Sequence, residues 1–291
     1  MNAGDDVNKV PASAGAQWLL DGMANLRRAP LAFGFLGVIY GAIALVVGQA
    51  AMVNVGLFMA LEVLLVLLGP LLMGGFVWAA RSVASGGPAQ PAHLLEGMHR
   101  GRTARLLATL LPNVAALVVC VVLLFAMVGS DSLLQIAQAV ERAGAQATPD
   151  PTIFDGLPVG RLLLWFLLVI VIGVVASFFT FVAIPDIMFR DAGAFDAMNR
   201  SFRACVRNLP ALLVFLVLAF IAIVVLYVGL SIVGLVVGAI AGRAAMQVVL
   251  QLLGSAVIMP ALLSAIYFAW RQMLGDEGTT KATPVVAGIE A

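Results

Sequence analysis

The chain has 291 residues, 63% of them hydrophobic and only 11% charged, with a net charge of +1 and a mean hydropathy of +1.09. Soluble globular domains carry roughly 25% charged residues, so a water-facing surface cannot be built from this material. The net charge alone argues neither for nor against a nucleic-acid partner; the distribution of charge decides more, and no nucleic-acid partner is expected from it.

Residues 1–14 are polar and lack the basic opening and apolar core of a secretory signal. They are expected to be disordered, and the first span itself would direct insertion. In AGAQWLLDGMANLRRAP (14–30), Trp18, Leu19, Gly22, Met23 and Leu26 share one helical face. This amphipathic helix lies in the membrane interface or packs on the protein's own spans. A bilayer crossing takes about 20 apolar residues. The first such stretch is Leu31–Val53, with Gly37, Gly41 and Gly48 marking one face, for packing within the monomer or for a dimer. The second, Val55–Trp78, contains Glu62.

LLEGM (94–98) repeats the LLDGM of 19–23 and leads into the third stretch, Leu106–Val128. There Asn113 follows Pro112 and can help re-satisfy the backbone that proline frees. Residues 129–160 form an outer loop with a short amphipathic helix and the prolines of TPDPTIFDGLP; it rests on the bundle or binds a partner. The fourth stretch, Leu162–Ile184, holds Ser177 and is followed by Pro185, Asp186 and Arg190, with Asp186 expected at the headgroup level or paired with Arg190. FDAMNRSFRACVRNLP (195–210) reads as a third amphipathic helix. The fifth stretch starts at Pro210 and reaches Ile232, with apolar character running on to Ala241; tilt, a kink near Gly229 or a short outer helix would absorb the excess. Gly234, Gly238 and Gly242 recur every four residues. The sixth, Met246–Trp270, contains Gln247 and Gln251, and a tail from residue 275 is expected to be disordered.

Six spans place Lys9, Arg27, Arg28, Arg81, Arg100, Arg102, Arg105, Arg190, Arg200, Arg203, Arg207, Arg271 and Lys281 on one side, thirteen of the sixteen basic residues. Arg142, Arg161 and Arg243 fall on the other. This asymmetry predicts cytoplasmic N and C termini in a bacterial inner membrane, the excess of Arg over Lys suiting a GC-rich genome. The fold class expected is all-α, a polytopic bundle of six transmembrane helices. GPLLMGGFVWAAR (69–81) aligns with MPALLSAIYFAWR (259–271), and Pro185 takes the equivalent place in the fourth span. The chain thus reads as one membrane domain, residues 15–274, made of three parallel units near 15–81, 92–190 and 195–272. Each unit is an interfacial helix followed by a hairpin whose return span ends in a proline and a basic anchor.

On WLLDGMANLRRAP, RNLP and GPLLMGGFVWAAR, the chain resembles a group of bacterial six-span inner-membrane proteins. The group includes the YciC-like proteins and the membrane domain attached to some glycerophosphodiesterases. The resemblance spans most of residues 15–272 and implies a six-span bundle with interfacial helices; it transfers no residue-specific role.

Glu62 lies about 10 Å into its span at 1.5 Å per residue, where an acid costs roughly 2.5–3.5 kcal/mol. It is expected to face the bundle interior. Proline alignment sets it level with Ser177 and with Leu252, beside Gln251, with Gln247 one turn further out, so Glu62, Gln251, Gln247 and Ser177 would form a polar layer that acts as an interhelical clamp or as a solute or proton site. Arg27, Arg28, Arg81, Arg102, Arg105, Arg203, Arg207 and Arg271 are the candidates for anchoring on anionic headgroups. His93 and His99 have no third ligand at metal spacing, Cys120 and Cys205 sit at different depths, and no metal, cofactor or disulfide is expected. No set of two or three placed catalytic groups is present, which argues against an enzyme. Two readings stay open: binding or moving a lipid-like or amphiphilic molecule, and an accessory scaffold that assembles with itself or other membrane proteins.

Overall fold

A computed structural model describes residues 7–99, 101–144 and 156–275, and among these every regular element is helical. The helices are α1 (Ala14–Arg28), α2 (Pro30–Val53), α3 (Val55–Ala84), a 3-10 helix (Pro91–Met98), α4 (Thr103–Ala108), α5 (Leu111–Val128), α6 (Ser130–Gly144), α7 (Val159–Thr180), α8 (Ala183–Arg190), α9 (Ala194–Arg207) and α10 (Leu209–Met273). Five helical stretches are long and apolar enough to cross a membrane: Pro30–Val53, Val55–Ala84, Thr103–Val128, Val159–Arg190 and Leu209–Met273.

The last of these replaces the two separate stretches expected from hydropathy. It has 65 residues, about 98 Å if straight, some three bilayer cores long. It is not straight. Gly242 breaks the helical backbone with φ 85° and ψ 173°, a conformation that a side chain would strain. The chain doubles back there: Gly234 faces Leu250, Gly238 faces Met246 and Gly254 faces Tyr227. The break thus falls at the third of the spaced glycines, and helix continues through Gly229, where a kink was one expectation.

The other departures follow from proline. Pro112 cannot donate to Ala108, and the third stretch splits at Thr109–Leu110 into α4 and α5. Pro185 likewise cannot donate to Phe181, and helix stops at Thr180 before restarting as α8. Ser201 of α9 mends that gap. Its hydroxyl accepts the Val182 N–H (3.1 Å) and donates to the Phe178 carbonyl (2.7 Å), standing between two groups that would bond directly in a continuous helix.

The amphipathic segments pack on the protein's own helices. α1 buries Trp18, Gly22 and Asn25; Asn25 Nδ2 donates to the Ala80 carbonyl of α3 (3.1 Å) and reaches Ser264 Oγ of α10 (3.3 Å). A Cβ at Gly22 would collide with the Ala261 carbonyl, and one at Gly97 with the Leu71 carbonyl. The LLDGM and LLEGM glycines therefore occupy matching seats, each against the residue that follows a helix proline, Pro260 or Pro70. LLEGM itself is 3-10 rather than α-helical, started by Pro91 and a capping box in which the Gln90 N–H donates to His93 Nδ1 (3.3 Å). α9 seats on α7 and α8, with Phe202 stacked on Phe179 at 4.6 Å.

Burial concentrates at the end of the bundle where these segments sit, in Leu71–Val83, Ala176–Met188 and Ala261–Leu274. There Gly37 and Gly41 bring α2 onto Ser255, while Gly48 faces open space. At the opposite end large apolar side chains such as Leu64, Phe125, Phe166 and Leu235 are exposed, as lipid-facing groups are. The N-terminal segment is ordered from Val7 onward, against the expectation for residues 1–14. Val7 is buried, the Asn8 N–H donates to the Met273 carbonyl (2.8 Å), and the Val10 N–H donates to Asn208 Oδ1 (2.8 Å). Both ends of the described chain therefore meet on one side. Residues 1–6, most of TPDPTIFDGLP and the tail from 276 lie outside the described residues.

Candidate functional site

The proline-bearing segments of α3, α7–α8 and the second half of α10 surround a cavity of about 350 Å³, completed by the start of α5. Its walls are apolar (Met73, Val77, Leu110, Ile184, Leu263, Ile266), with Thr109, Asn113, Ser177 and Thr180 as the polar side chains. Among the described residues, none that lines it is charged. The volume lies in the ordinary range for small-molecule sites, roughly 300–1,000 Å³.

The polar lining is biased toward acceptors. Thr109 donates its hydroxyl to the Leu106 carbonyl (2.6 Å), Ser177 to Val174 (2.7 Å) and Thr180 to Ser177 (3.1 Å). Each donor thus goes to its own helix, leaving oxygen lone pairs for a ligand. Pro70 and Pro185 deprive the Val66 and Phe181 carbonyls of their usual partners, and both residues line the cavity. Asn113 supplies the side-chain amide donor; its carboxamide makes no hydrogen bond among the described residues, so it does not repair the backbone at Pro112 as expected. Val66, Met73, Asn113 and Ser177 are also exposed, which opens the cavity toward the surface that apolar side chains cover.

The expected polar layer does not form. Glu62 is turned outward on α3 instead of into the bundle, beside the exposed Val63, Leu64 and Val66. Gln247 is exposed, Gln251 is half-buried near Gly41, and no hydrogen bond among the described residues joins these groups. Ser177 and Asn113 meet in the cavity that Glu62, Gln247 and Gln251 do not line. The alignment by proline compares positions along the spans and carries no information on which way each helix is rotated.

Asp186 does not reach the headgroup level, and its expected pairing with Arg190 is present only as a long contact, secondary to others. It is fully buried and accepts two bonds from Arg200, Nε at 2.8 Å and Nη2 at 2.6 Å, and one from Trp270 Nε1 at 3.2 Å; Arg190 is further, at 3.9 Å. This clasp joins α8, α9 and α10 below the cavity. Beside it Phe189 packs on Trp78, Tyr267 and Trp270. Arg81 lies 4.7 Å over the Phe189 ring and Arg102 5.8 Å over Trp78. Of the basic anchor candidates, Arg27, Arg28, Arg207 and Arg271 are exposed, Arg203 is half-buried, and Arg105 is bound to Asp191 at 2.8 Å. Cys205, buried in α9, has its thiol pushed up to about 12 by burial, against a smaller lowering by Ser201.

No family model, curated protein or solved structure matches this chain.

Proposed function

We propose that this is a multi-pass bacterial inner-membrane protein, with both termini in the cytoplasm, that binds or moves a lipid-like or amphiphilic molecule through the cavity between its proline-bearing segments. The observation that carries the reading is the lining itself: apolar walls, a few neutral acceptors, one amide donor and no charge. An ion would find no counter-charge there, whereas an acyl chain with a neutral hydrogen-bonding group would find both kinds of partner.

The reversal of α10 at Gly242 supports two crossings within that helix and hence six in all. The seats of the amphipathic segments support three parallel units: α1 rests on both halves of α10, Gly15 on Ala211 and Gly22 on Ala261, the 3-10 helix on α3 and α9 on α7–α8. Each unit's first element thus rests on the return span of the unit before it, closing a ring with the cavity inside. Anionic headgroups at the basic face fit the exposed arginines, and the YciC-like resemblance fits the same architecture.

Gly69 offers the test. It lines the cavity, and a Cβ there meets nothing within 4 Å, so Gly69→Leu fills the site without disturbing the backbone. Lipid retained through detergent purification and identified by mass spectrometry should be present with the wild type and lost with Gly69→Leu. Equal retention by both would reject the cavity as the site. Absence of lipid from both, with a protein partner co-purifying instead, would favour the accessory-scaffold reading.

A further inference from the structure

We propose that Arg102 reads the phosphate of an anionic amphiphile whose apolar part occupies the cavity, an assignment that rests on the cavity reading above. Arg102 is only 8% exposed, and among the described residues its enclosed Nε and Nη1 have no hydrogen-bond partner. A buried guanidinium without a counter-charge is costly, and no ion pair among the described residues joins it to a carboxylate. Asp186 is occupied by Arg200 and Trp270, and Asp191 by Arg105. The Trp78 ring, 5.8 Å from Arg102 Cζ, is a weak compensation. Nη2 is the nitrogen left unenclosed, and it sets the direction from which an anion can arrive.

Two further features choose phosphate and lipid. Trp78 stacks on Phe189 at 6.0 Å, and Phe189 carries Arg81 on its ring. A guanidinium thus lies over each ring of one aromatic pair, on the cationic face that an anionic headgroup would meet. Arg102 also shares a helical face with the wholly buried Leu106 and with Thr109 in the cavity wall. Seven residues at 1.5 Å per residue set Arg102 about 10 Å beyond Thr109 toward the basic face. A phosphodiester linked to an acyl chain through glycerol bridges a gap of that order.

The test uses the purified, delipidated full-length chain in detergent, followed by native mass spectrometry and by melting temperature. Phosphatidylglycerol and phosphatidylcholine of identical chains are titrated, and inorganic phosphate separately. The wild type should prefer phosphatidylglycerol by at least about tenfold and be stabilised by it. Arg102→Met should hold both lipids about equally and gain no extra stability from phosphatidylglycerol. Its melting temperature without lipid should equal or exceed the wild type's, because a buried charge has been replaced by an apolar group. Arg28→Gln, at an exposed arginine, should keep the preference. An undiminished preference in Arg102→Met would overturn the headgroup site. Inorganic phosphate alone stabilising the wild type as much as the lipid does would overturn the lipid as its source. Gly69→Leu separates the two claims: if it binds both lipids normally the cavity reading fails, and if it blocks both while Arg102→Met matches wild type only the phosphate site fails.

Discussion

Asp186→Ala tests the packing logic of the basic face most sharply. The substitution removes two charge-assisted bonds from Arg200 and one bond from Trp270 Nε1. Arg200 keeps a side-chain exposure of 19%, so it stays largely buried and loses its partner. Removing one member of a buried ion pair typically costs about 3–5 kcal/mol, and the partial exposure of Arg200 places the expected loss toward about 3 kcal/mol. Reversible unfolding in mixed detergent would measure it. Replacing both residues, Asp186→Leu with Arg200→Met, should recover most of the loss, because the more buried charge leaves with its partner and Arg190 gives up only a 3.9 Å contact while keeping its bond to the Leu274 carbonyl. The double-mutant cycle should then give a coupling of about 2 kcal/mol or more. A single-substitution cost under about 1 kcal/mol, or additive behaviour of the pair, would refute the clasp.

Ser201→Ala removes the hydroxyl between the Val182 N–H and the Phe178 carbonyl, leaving the buried Val182 N–H unpaired and the carbonyl with only the long Cys205 Sγ contact at 3.7 Å; a loss of about 1–3 kcal/mol is expected, with faster amide exchange at Val182 as its local signature. Cys205, with its thiol raised from 9.0 to about 12 by burial, should resist maleimide at pH 8 in the folded protein and react once unfolded in SDS. Because the folded pKa is the higher one, its contribution to stability is intact below pH 9 and is lost as pH climbs from 9 toward 12, so Cys205→Ala should melt with a shallower alkaline decline. Single cysteines in place of Arg28 and Arg243, in a background lacking Cys120 and Cys205, should label from opposite sides of the membrane with an impermeant reagent. Labelling from the same side would exclude a double crossing by α10.

The helical class and the apolar stretches were legible because hydrophobic length is a one-dimensional property. LLDGM and LLEGM share one local feature, a glycine pressed against a neighbouring helix's carbonyl, although the first lies in an α-helix and the second in a 3-10 helix. What failed was rotational. Glu62 and Ser177 sit level by proline alignment, yet one faces outward and the other lines the cavity, because depth does not fix the azimuth of a helix. Asp186 looked interfacial from its place near a span end. Its burial depends on Arg200 and Trp270, fourteen and eighty-four residues away. The cavity was invisible for the same reason: its lining comes from four segments whose meeting is set by packing, although Pro70, Pro185 and Asn113 had each been singled out as local irregularities. Arg102 was grouped with the anchoring arginines, and only burial separates it from Arg27 and Arg28.

The central claim is that the cavity holds the apolar part of an amphiphile. Photo-crosslinking the purified protein with a phospholipid carrying a diazirine in its acyl chain, followed by peptide mapping, tests it most directly. Adducts should concentrate on Met73, Leu110, Ile184 and Leu263 and disappear in Gly69→Leu. Adducts spread evenly over outward residues such as Leu64, Phe166 and Leu213, and unchanged in that variant, would contradict it.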